Sequence, residues 1–346
     1  MGVYGCDVFD VRFYRGGPNW PSNPFQFQGP GQVVFEPDFV LLRGSSHRSF
    51  RFPRRCEQRL RKADIVNVRV EGPDVLFHVV GVDGKEEVGF TAADRDAARA
   101  IAAALPTRWT PEFKTAYAER EVFEDRIDYW SPSTPVIWLL LVANVGVYLA
   151  MWLQRQAALP NLRALLRGRS DADAIAYTFQ LIDWGSNVGR LTLGGQWWRL
   201  FSSMFLHGSL LHLAFNMFAL WQVGCLVERI FGSVRFSVLY LLAGLAGGIA
   251  SVLWNPQVNS VGASGAIFGI IGGLLAFIRR ENSGVPPTVV ADLRGSILPF
   301  LLFNLAAGFL YPHTDNAAHI GGLAGGWLAG HLLARSLHVP GQPARQ

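Results

Sequence analysis

Six apolar runs dominate the chain after residue 130, and each is long enough to cross the roughly 30 Å of hydrocarbon in a bilayer. They cover residues 133–153, 202–227, 234–254, 263–279, 296–312 and 317–335. The runs are continuous rather than alternating, and inside lipid only helices or closed barrels satisfy every backbone hydrogen bond. The sequence therefore predicts an all-α polytopic membrane core of six transmembrane helices.

Charge is distributed unevenly along the chain. Residues 1–130 have an ordinary density of charged residues and the remainder is much more apolar, so that the whole chain is 50% hydrophobic and 16% charged. This pattern predicts a soluble domain over 1–130, a membrane domain over 131–336 and a polar tail over 337–346. We attribute the net charge of +5 to topology signals and lipid headgroup contacts, and expect no nucleic-acid partner.

Basic residues predict the orientation of the spans. Arginines follow spans 2 and 4 and occur in the tail, at Arg229, Arg235, Arg279, Arg280, Arg294, Arg335 and Arg345, whereas loops 255–260 and 312–316 contain no Lys or Arg. The positive-inside rule then puts both termini in the cytoplasm. The arginine-rich loop between spans 1 and 2 disagrees, but long loops follow this rule poorly. The N-terminus lacks a cationic start followed by an apolar run, so we expect no cleaved signal peptide.

The first domain is predicted to be mainly β and closed by a helix. Short runs rich in Val and Phe at 31–42, 65–70, 75–82 and 87–91 are typical of strands, and 18–30 is a Pro-rich arm. Residues 92–105 read as a helix, with Asp94 near its start and Pro106 past its end. The pattern resembles a pleckstrin-homology-like or related small β domain in shape alone.

The sequence does not indicate what this first domain does. Phosphoinositide binding and protein binding both stay open. A basic cluster is present at Arg51, Arg54, Arg55, Arg59, Arg61 and Lys62. Such a cluster is more often a solvated face than a lipid site.

Polar residues near the ends of three spans are candidates for chemistry. Ser264 begins span 4 and His319 begins span 6, and the predicted topology puts both near the outer face. His212 and Asn216 are four residues apart in span 2 and hence on one helical face. Ionisable and amide groups in a bilayer are costly and mark function by default, although each alone can also hold helices together. Together they supply a hydroxyl, a base and oxyanion donors.

These residues belong to a set of motifs that resembles the rhomboid family of intramembrane serine proteases. The motifs are Trp198-Arg199, the spacing of His207, His212 and Asn216, Gly262-Ala263-Ser264-Gly265, and Ala318-His319 followed by Gly321, Gly322, Gly325 and Gly326. Gly-x-Ser-Gly alone is a weak signal, but the combination in this order is specific. The resemblance covers residues 133–336 and does not extend to the first domain.

The resemblance implies a serine protease with a two-residue catalytic site. Ser264 would be the nucleophile and His319 its general base, without a required carboxylate, so Asp315 is not assigned a role in catalysis. The Ser264 amide, Asn216 and His212 would stabilise the oxyanion. The family would also imply a multi-pass protein, here of a bacterial inner (plasma) membrane.

Further residues are expected to support the site. His207 is five residues before His212, so on a helix it would point elsewhere, and its expected role is to tie the first loop. Small-residue faces would let the Ser264 and His319 helices touch. Phe268 would stack on or shield His319, or simply pack. The supporting set is His207, Trp198, Arg199, Gly262, Gly265, Phe268, Gly322 and Gly326.

The partners expected from this reading are transmembrane protein substrates and membrane lipids, while the oligomeric state stays open. No cofactor or metal is expected, since Cys6, Cys56 and Cys225 have no metal-ligand spacing. The alternative is a catalytically silent rhomboid-like protein that binds and escorts membrane proteins. A transporter is disfavoured because no inverted repeat is visible.

Overall fold

The computed structural model describes residues 7–14, 24–46, 54–81, 84–157, 171–310 and 314–340. The chain forms two compact units, Met1–Ala118 and Glu119–Gln346. The predicted domain boundaries at residues 130 and 336 stay predictions. Residues 18–23 of the predicted arm, Arg51 of the basic cluster and 341–346 of the predicted tail lie outside the described residues.

The described part of the first unit contains an antiparallel sheet and one helix after it. The strands are β1 Val8–Phe13, β2 Gly29–Phe35, β3 Phe39–Ser46, β4 Arg54–Arg61, β5 Ile65–Glu71, β6 Asp74–Gly81 and β7 Gly84–Ala92, and the helix is α1 Arg95–Ala103. Their hydrogen-bonded order is β4-β3-β2-β1-β7-β6-β5. The core between sheet and helix includes Phe13, Phe77, Phe90 and Ile101. The predicted β domain followed by a helix is thus confirmed.

Some local predictions for this unit differ from the structure. The run at 31–42 is two strands rather than one, because the chain turns at 36–38 and Phe35 pairs with Val40. Four arginines of the basic cluster lie in β4, an edge strand of the sheet, and all four are exposed. Charged side chains on an edge strand discourage pairing with other chains. Asp94 accepts a hydrogen bond from the Ala97 amide at 2.8 Å, so the helix starts where the sequence indicated.

The second unit is helical, and the boundary between the units falls inside α2. The helices are α2 Pro111–Trp130, α3 Pro135–Ala157, α4 Asp171–Asp183, α5 Gly189–Leu193, α6 Arg199–Ser202, α7 Leu210–Phe231, α8 Ser233–Trp254, α9 Ser264–Ile278, α10 Pro287–Leu310 and α11 Asn316–Leu333. A 3-10 turn covers Ser203–Phe205, and β8 Asn187–Val188 pairs with β9 Asn259–Ser260.

Four of the described helices are long and apolar enough to cross a membrane, which supports a multi-pass membrane protein. Their apolar stretches are Pro135–Arg155, Leu210–Phe231, Ser233–Trp254 and Pro287–Gly308. Helices occupy the other two predicted spans, but α9 has only 15 residues and the 18-residue α11 is interrupted by glycine and histidine. Six membrane crossings therefore stay a prediction.

Two of the apolar helices begin at other residues than predicted. Helix α7 starts at Leu210 rather than near 202, because Ser209 caps it by accepting a hydrogen bond from the His212 amide at 3.1 Å. Helix α10 starts at Pro287 rather than at 296. Proline is favoured at the first position of a helix, which explains the start at Pro287. The apolar run begins later because Asp292 and Arg294 are charged.

Helices α9 and α11 approach each other through glycine. A Cβ atom at Gly322 would overlap the carbonyl oxygen of Gly265, and one at Gly326 would overlap that of Gly269. The predicted small-residue faces thus lie against each other, and α8 packs closely against both helices. Without a hydrophobic driving force between helices in lipid, such backbone contact supplies much of the association energy.

Glu228 near the end of α7 is buried and holds the start of α3. Its carboxylate accepts hydrogen bonds from the amides of Val136 at 3.0 Å and Ile137 at 2.8 Å, and from the Ser233 hydroxyl at 2.7 Å. A carboxylate is favoured at the start of a helix, here α3, because the first amides lack partners within the helix and the helix dipole is positive there. The neighbouring Arg229 pairs with Asp128 of α2.

Gly326→Ala is expected to destabilise the helix bundle. The new methyl group would overlap backbone atoms of Gly269, and overpacking of this kind costs about 1–3 kcal/mol. The measurement is the midpoint of thermal unfolding in detergent. Gly146→Ala on α3 is the matched control, because a Cβ there meets nothing within 4 Å, and its midpoint should stay the same or rise slightly. Equal midpoints for the two variants would contradict the packing argument.

Candidate active site

Ser264 is the first residue of α9, and its position is fixed by the segment before it. In that segment β9 pairs with β8, and the Gly262 amide donates to the Ser203 carbonyl at 2.9 Å. Gly262 has φ +123°, a conformation that residues with a side chain rarely adopt. Ala263 precedes the helix and supplies no side-chain cap, so it leaves the first amides of α9 without a capping side chain.

The structure brings the predicted pair together. The Nε2 atom of His319, in the first turn of α11, lies 2.8 Å from Oγ of Ser264. The imidazole is largely buried, with only 9% of the residue exposed. The Phe268 ring stacks on it with the centroids 4.3 Å apart and the planes 8° from parallel. Of the two readings left open for Phe268, the observed geometry is stacking on His319.

Asp315 supports the helix rather than the imidazole. Its Oδ1 atom accepts a hydrogen bond from the Ala318 amide at 3.0 Å, and its carbonyl accepts one from the His319 amide at 3.2 Å. Both contacts are typical of an N-cap. Within the described residues, the Nδ1 atom of His319 is buried without a hydrogen-bond partner. The arrangement is therefore a pair of residues, with no carboxylate bonded to the histidine.

His212 and Asn216 lie one turn apart on α7, as the spacing predicted. The Asn216 amide donates to the His212 carbonyl at 2.9 Å, which uses one of its two N–H groups. A Cβ at Gly262 would be 2.9 Å from the His212 ring and 3.8 Å from Ser264 Oγ. The imidazole and the hydroxyl therefore both border the space beside Gly262. The missing side chain at Gly262 keeps this space open.

His207 does not point away from His212, so that expectation is wrong. The residue precedes α7 and is not part of it, so helical geometry does not apply. The two imidazole rings lie 5.1 Å apart at 64°. The carbonyl of His207 accepts a hydrogen bond from the Tyr177 hydroxyl at 2.6 Å, a contact that ties α4 to this segment.

Arg199 holds the long first loop together. It is only 6% exposed and donates to Gln196 Oε1 at 2.7 Å and to the carbonyls of Ile182 at 2.6 Å and Ser186 at 3.1 Å. Burial lowers the pKa of its guanidinium, since it disfavours the charged form, and Asp183 opposes this shift. The guanidinium also lies over the Trp198 ring, 4.8 Å from its centroid.

The sequence reasoning missed Asn187 as a structural residue of this loop. Its side chain is buried, donates to the Gly248 carbonyl at 3.0 Å and accepts from the Thr192 hydroxyl at 2.8 Å. It thereby anchors β8, the strand that pairs with the segment leading to Ser264. No motif or periodicity marks this residue, so only the fold reveals it.

The helical part of the chain that contains this site is similar to known proteins. The family model described as a Rhomboid domain matches residues 194–336. "Putative rhomboid protease YdcA" of Bacillus subtilis is 32% identical over 156 residues, which cover 44% of this chain and 76% of that protein. The chain belongs to the rhomboid family. The family includes proteases, and the four apolar helices make this rhomboid a multi-pass membrane protein.

Other relatives of this rhomboid share a smaller part of their length. "Rhomboid protease GluP" of Bacillus subtilis is 42% identical over 156 residues, 45% of this chain and 30% of that protein. "RHOMBOID-like protein 4" of Arabidopsis thaliana is 41% identical over 149 residues, 43% of this chain and 37% of that protein. The match thus spans about a third of the length of these two relatives.

Asp315→Asn is expected to leave the labelling rate of Ser264 within about tenfold of the rate in the unaltered protein. By contrast, loss of the aspartate of a catalytic triad lowers kcat by about 10⁴. Asparagine can still cap α11, so the fold is retained. The measurement is the rate at which a small fluorophosphonate labels Ser264. Asp315→Ala, which removes the cap, should lower the unfolding midpoint instead. A loss of several thousandfold in Asp315→Asn would show that the carboxylate acts in catalysis.

Proposed function

We propose that this rhomboid is an intramembrane serine endopeptidase that hydrolyses peptide bonds in or next to transmembrane segments of other proteins. The observation that carries the proposal is the 2.8 Å distance between His319 Nε2 and Ser264 Oγ. A hydroxyl bonded to an imidazole is the arrangement of an activated nucleophile. Membership in a family with protease-named members supports the same reaction class.

The reaction begins with attack of Ser264 Oγ on the scissile carbonyl carbon while His319 Nε2 takes the serine proton. The C–N bond of the tetrahedral intermediate then breaks, and the imidazolium returns its proton to the leaving amine. The product of this half-reaction is an acyl-enzyme. Water then attacks the ester carbonyl while His319 takes one of its protons. The bond between the carbonyl carbon and Ser264 Oγ breaks, and the imidazolium returns the proton to Oγ, so that the carboxylic acid product is released.

The negative charge on the carbonyl oxygen needs hydrogen-bond donors. The Ser264 amide at the start of α9, the His212 ring and the second N–H of the Asn216 side chain are the donors that we assign. The support for this assignment is geometric, because the His212 ring and Ser264 Oγ both border the space beside Gly262. The free amides at the beginning of α9 add a favourable dipole.

The surroundings of the site fit a substrate that is itself in the membrane. We assign α9 and α11 as crossings in addition to the four longer apolar helices, with both termini in the cytoplasm of a bacterial inner membrane. Exposed aromatic residues such as Trp197, at 74% exposure, would contact lipid.

The proposed reaction also favours certain cleavage sites in the substrate. A helical substrate resists attack because its carbonyls are hydrogen-bonded, so cleavage favours sites with small or helix-breaking residues.

The competing hypothesis is a silent rhomboid-like protein that binds membrane proteins without cutting them. The names of the Arabidopsis relatives describe them only as rhomboid-like. The presence and the contact of Ser264 and His319 favour the enzyme. Labelling of Ser264 by a fluorophosphonate separates the two functions, because a silent protein has no activated serine to label.

Ser264→Ala is expected to abolish cleavage of a single-span membrane substrate, since the nucleophile is lost. The measurement is the appearance of both cleavage fragments after mixing the purified protein with the substrate in detergent. Ser296→Ala is the matched control, because Ser296 is exposed on α10 and its hydroxyl donates to the Asp292 carbonyl of its own helix. Equal cleavage by Ser264→Ala and the unaltered protein would reject the proposed function.

Asn216→Ala and His212→Ala are each expected to lower kcat by about 10²–10³, the effect of removing one oxyanion donor. The KM for the substrate should change little, because these donors act mainly in the transition state. The measurement is the dependence of the initial rate on substrate concentration. Asn304→Ala on α10 serves as the control, since the side-chain amide of Asn304 donates to the Phe300 carbonyl of its own helix. A rise in KM with unchanged kcat would assign these residues to substrate binding instead.

A further inference from the structure

The segment after α11 is held against the loop between α9 and α10. The Ala334 carbonyl accepts a hydrogen bond from Nη1 of Arg280 at 2.8 Å, and the Leu337 amide donates to the Ser283 carbonyl at 2.9 Å. The Leu337 side chain is fully buried, although the sequence assigned this residue to a polar tail. Arg335 lies between these two anchors, so its backbone is held in a defined position.

The Arg335 side chain lies at the start of α8, over an indole ring. Its guanidinium carbon is 4.5 Å from the centroid of the Trp130 ring. A Cβ atom at Gly232, the N-cap residue of α8, would be 3.6 Å from Nη2 of Arg335, and the helix has no side-chain cap there. The first amides of a helix lack intrahelical partners and the dipole is positive at that end. The dipole therefore disfavours a guanidinium at this place, and an anion beside it would remove the conflict.

A second arginine adds to the positive charge at this end of α8. Arg235 lies in the first turn of the helix and is exposed. Burial and, to a smaller extent, the charge of Arg235 lower the pKa of the Arg335 guanidinium. In the part of the chain that the structure describes, Nε and Nη2 of Arg335 are buried without a hydrogen-bond partner, whereas Nη1 is not buried. This leaves Nη1 as the donor of Arg335 that a ligand can reach.

The carboxylates near these arginines are already engaged. Asp128 pairs with Arg229, and the buried Glu228 accepts hydrogen bonds from the Ser233 hydroxyl and from the first amides of α3. Neither Arg335 nor Arg235 forms an ion pair with another described residue. We call these two arginines, with Trp130 and Gly232, the Arg335 patch. The patch has the charge and the donors to bind an anion with several acceptor oxygens, such as a phosphate group.

Helix α8 presents an apolar surface next to the Arg335 patch. Val234, Val238 and Leu241 are all exposed, and their spacing of four and then three residues puts them on one face of the helix. This helix is one of the four that are long and apolar enough to cross a membrane, so that face would meet acyl chains while the patch lies at the level of the headgroups. A phospholipid fits both surfaces, whereas a soluble phosphate fits the arginines alone.

We propose that Arg335 and Arg235 form a binding site for the phosphate group of an anionic phospholipid. The Trp130 ring supports the Arg335 guanidinium, and an acyl chain lies along the exposed apolar face of α8. The predicted topology puts this end of α8 at the cytoplasmic surface, where basic pockets between helices bind anionic headgroups. The bound lipid ties the segment after α11 to the start of α8. This inference does not depend on the proposed protease activity.

The test is the midpoint of thermal unfolding of the full-length protein in an uncharged detergent, titrated with short-chain phosphatidylglycerol. We expect the midpoint to rise with the concentration of this lipid, because a ligand that binds the folded state stabilises it. Phosphatidylcholine of the same chain length has no net charge and should raise the midpoint much less. Added salt should weaken the effect of phosphatidylglycerol, since it screens the arginines.

Variants of the Arg335 patch separate binding from folding. Arg335→Gln and Arg235→Gln should each weaken the affinity for phosphatidylglycerol about tenfold, as loss of a hydrogen bond to a charged group allows. Without lipid, the midpoint of Arg235→Gln should equal or exceed that of the unaltered protein, because a like charge beside Arg335 is removed. A purely structural role for Arg235 predicts a lower midpoint instead. Arg294→Gln is the matched control, since Arg294 is exposed on α10 and bonds no other described residue.

The possible results decide both the site and its ligand. An equal response to phosphatidylglycerol in the two patch variants and in Arg294→Gln would overturn the site. Equal stabilisation by phosphatidylcholine would overturn the requirement for an anionic lipid. If inorganic phosphate alone raises the midpoint as much, with the same dependence on the two arginines, the patch binds a soluble anion and the lipid assignment is wrong. None of these readouts uses cleavage, so a failure of the proposed function would leave them unchanged.

Discussion

The contact between the glycine faces of α9 and α11 is the constraint on which the candidate active site depends. Ser264 and His319 both lie in the first turn of their helices, so their side chains meet only if the helix backbones touch. With no Cβ at Gly322 and Gly326, the carbonyls of α9 fill the space that side chains would occupy. The 2.8 Å distance between His319 Nε2 and Ser264 Oγ follows from this packing.

The segments around this helix pair are fixed by polar groups that replace water. Glu228 satisfies the first amides of α3, Arg199 satisfies carbonyls of the first loop, and Asn187 joins that loop to α8. A buried polar group without a partner is costly, so each of these contacts specifies one arrangement of the chain. The loop can then hold the strand that leads to Ser264 in a defined position.

The sequence was most informative where spacing and residue type carry direct physical meaning. Apolar runs indicated the long helices, and the four-residue interval between His212 and Asn216 correctly indicated one helical face. The order of the motifs indicated the family. Ser264 and His319 were paired because the predicted topology put both near the same membrane face, and the structure brings them into contact.

Other features depend on contacts between distant segments, which no local pattern encodes. The start of α7 depends on the Ser209 cap, so His207 was assigned to a helix that begins only after it. The amides that donate to the Glu228 carboxylate lie about 90 residues away, at the start of α3. Glu119 of α2 accepts hydrogen bonds from Thr288, 169 residues later in the chain, and an acidic residue on a polar helix gives no sign of such a partner.

The parallel stacking of Phe268 on His319 restricts how the imidazole can turn. A ring held face to face with another ring 4.3 Å away can slide or tilt, but rotation about its bond to Cβ would drive its edge into the neighbour. In the proposed reaction, the His319 nitrogen that takes a proton from Ser264 therefore releases it in nearly the same direction. A peptide cleaved by this mechanism would have to present its departing nitrogen on that side of the imidazole.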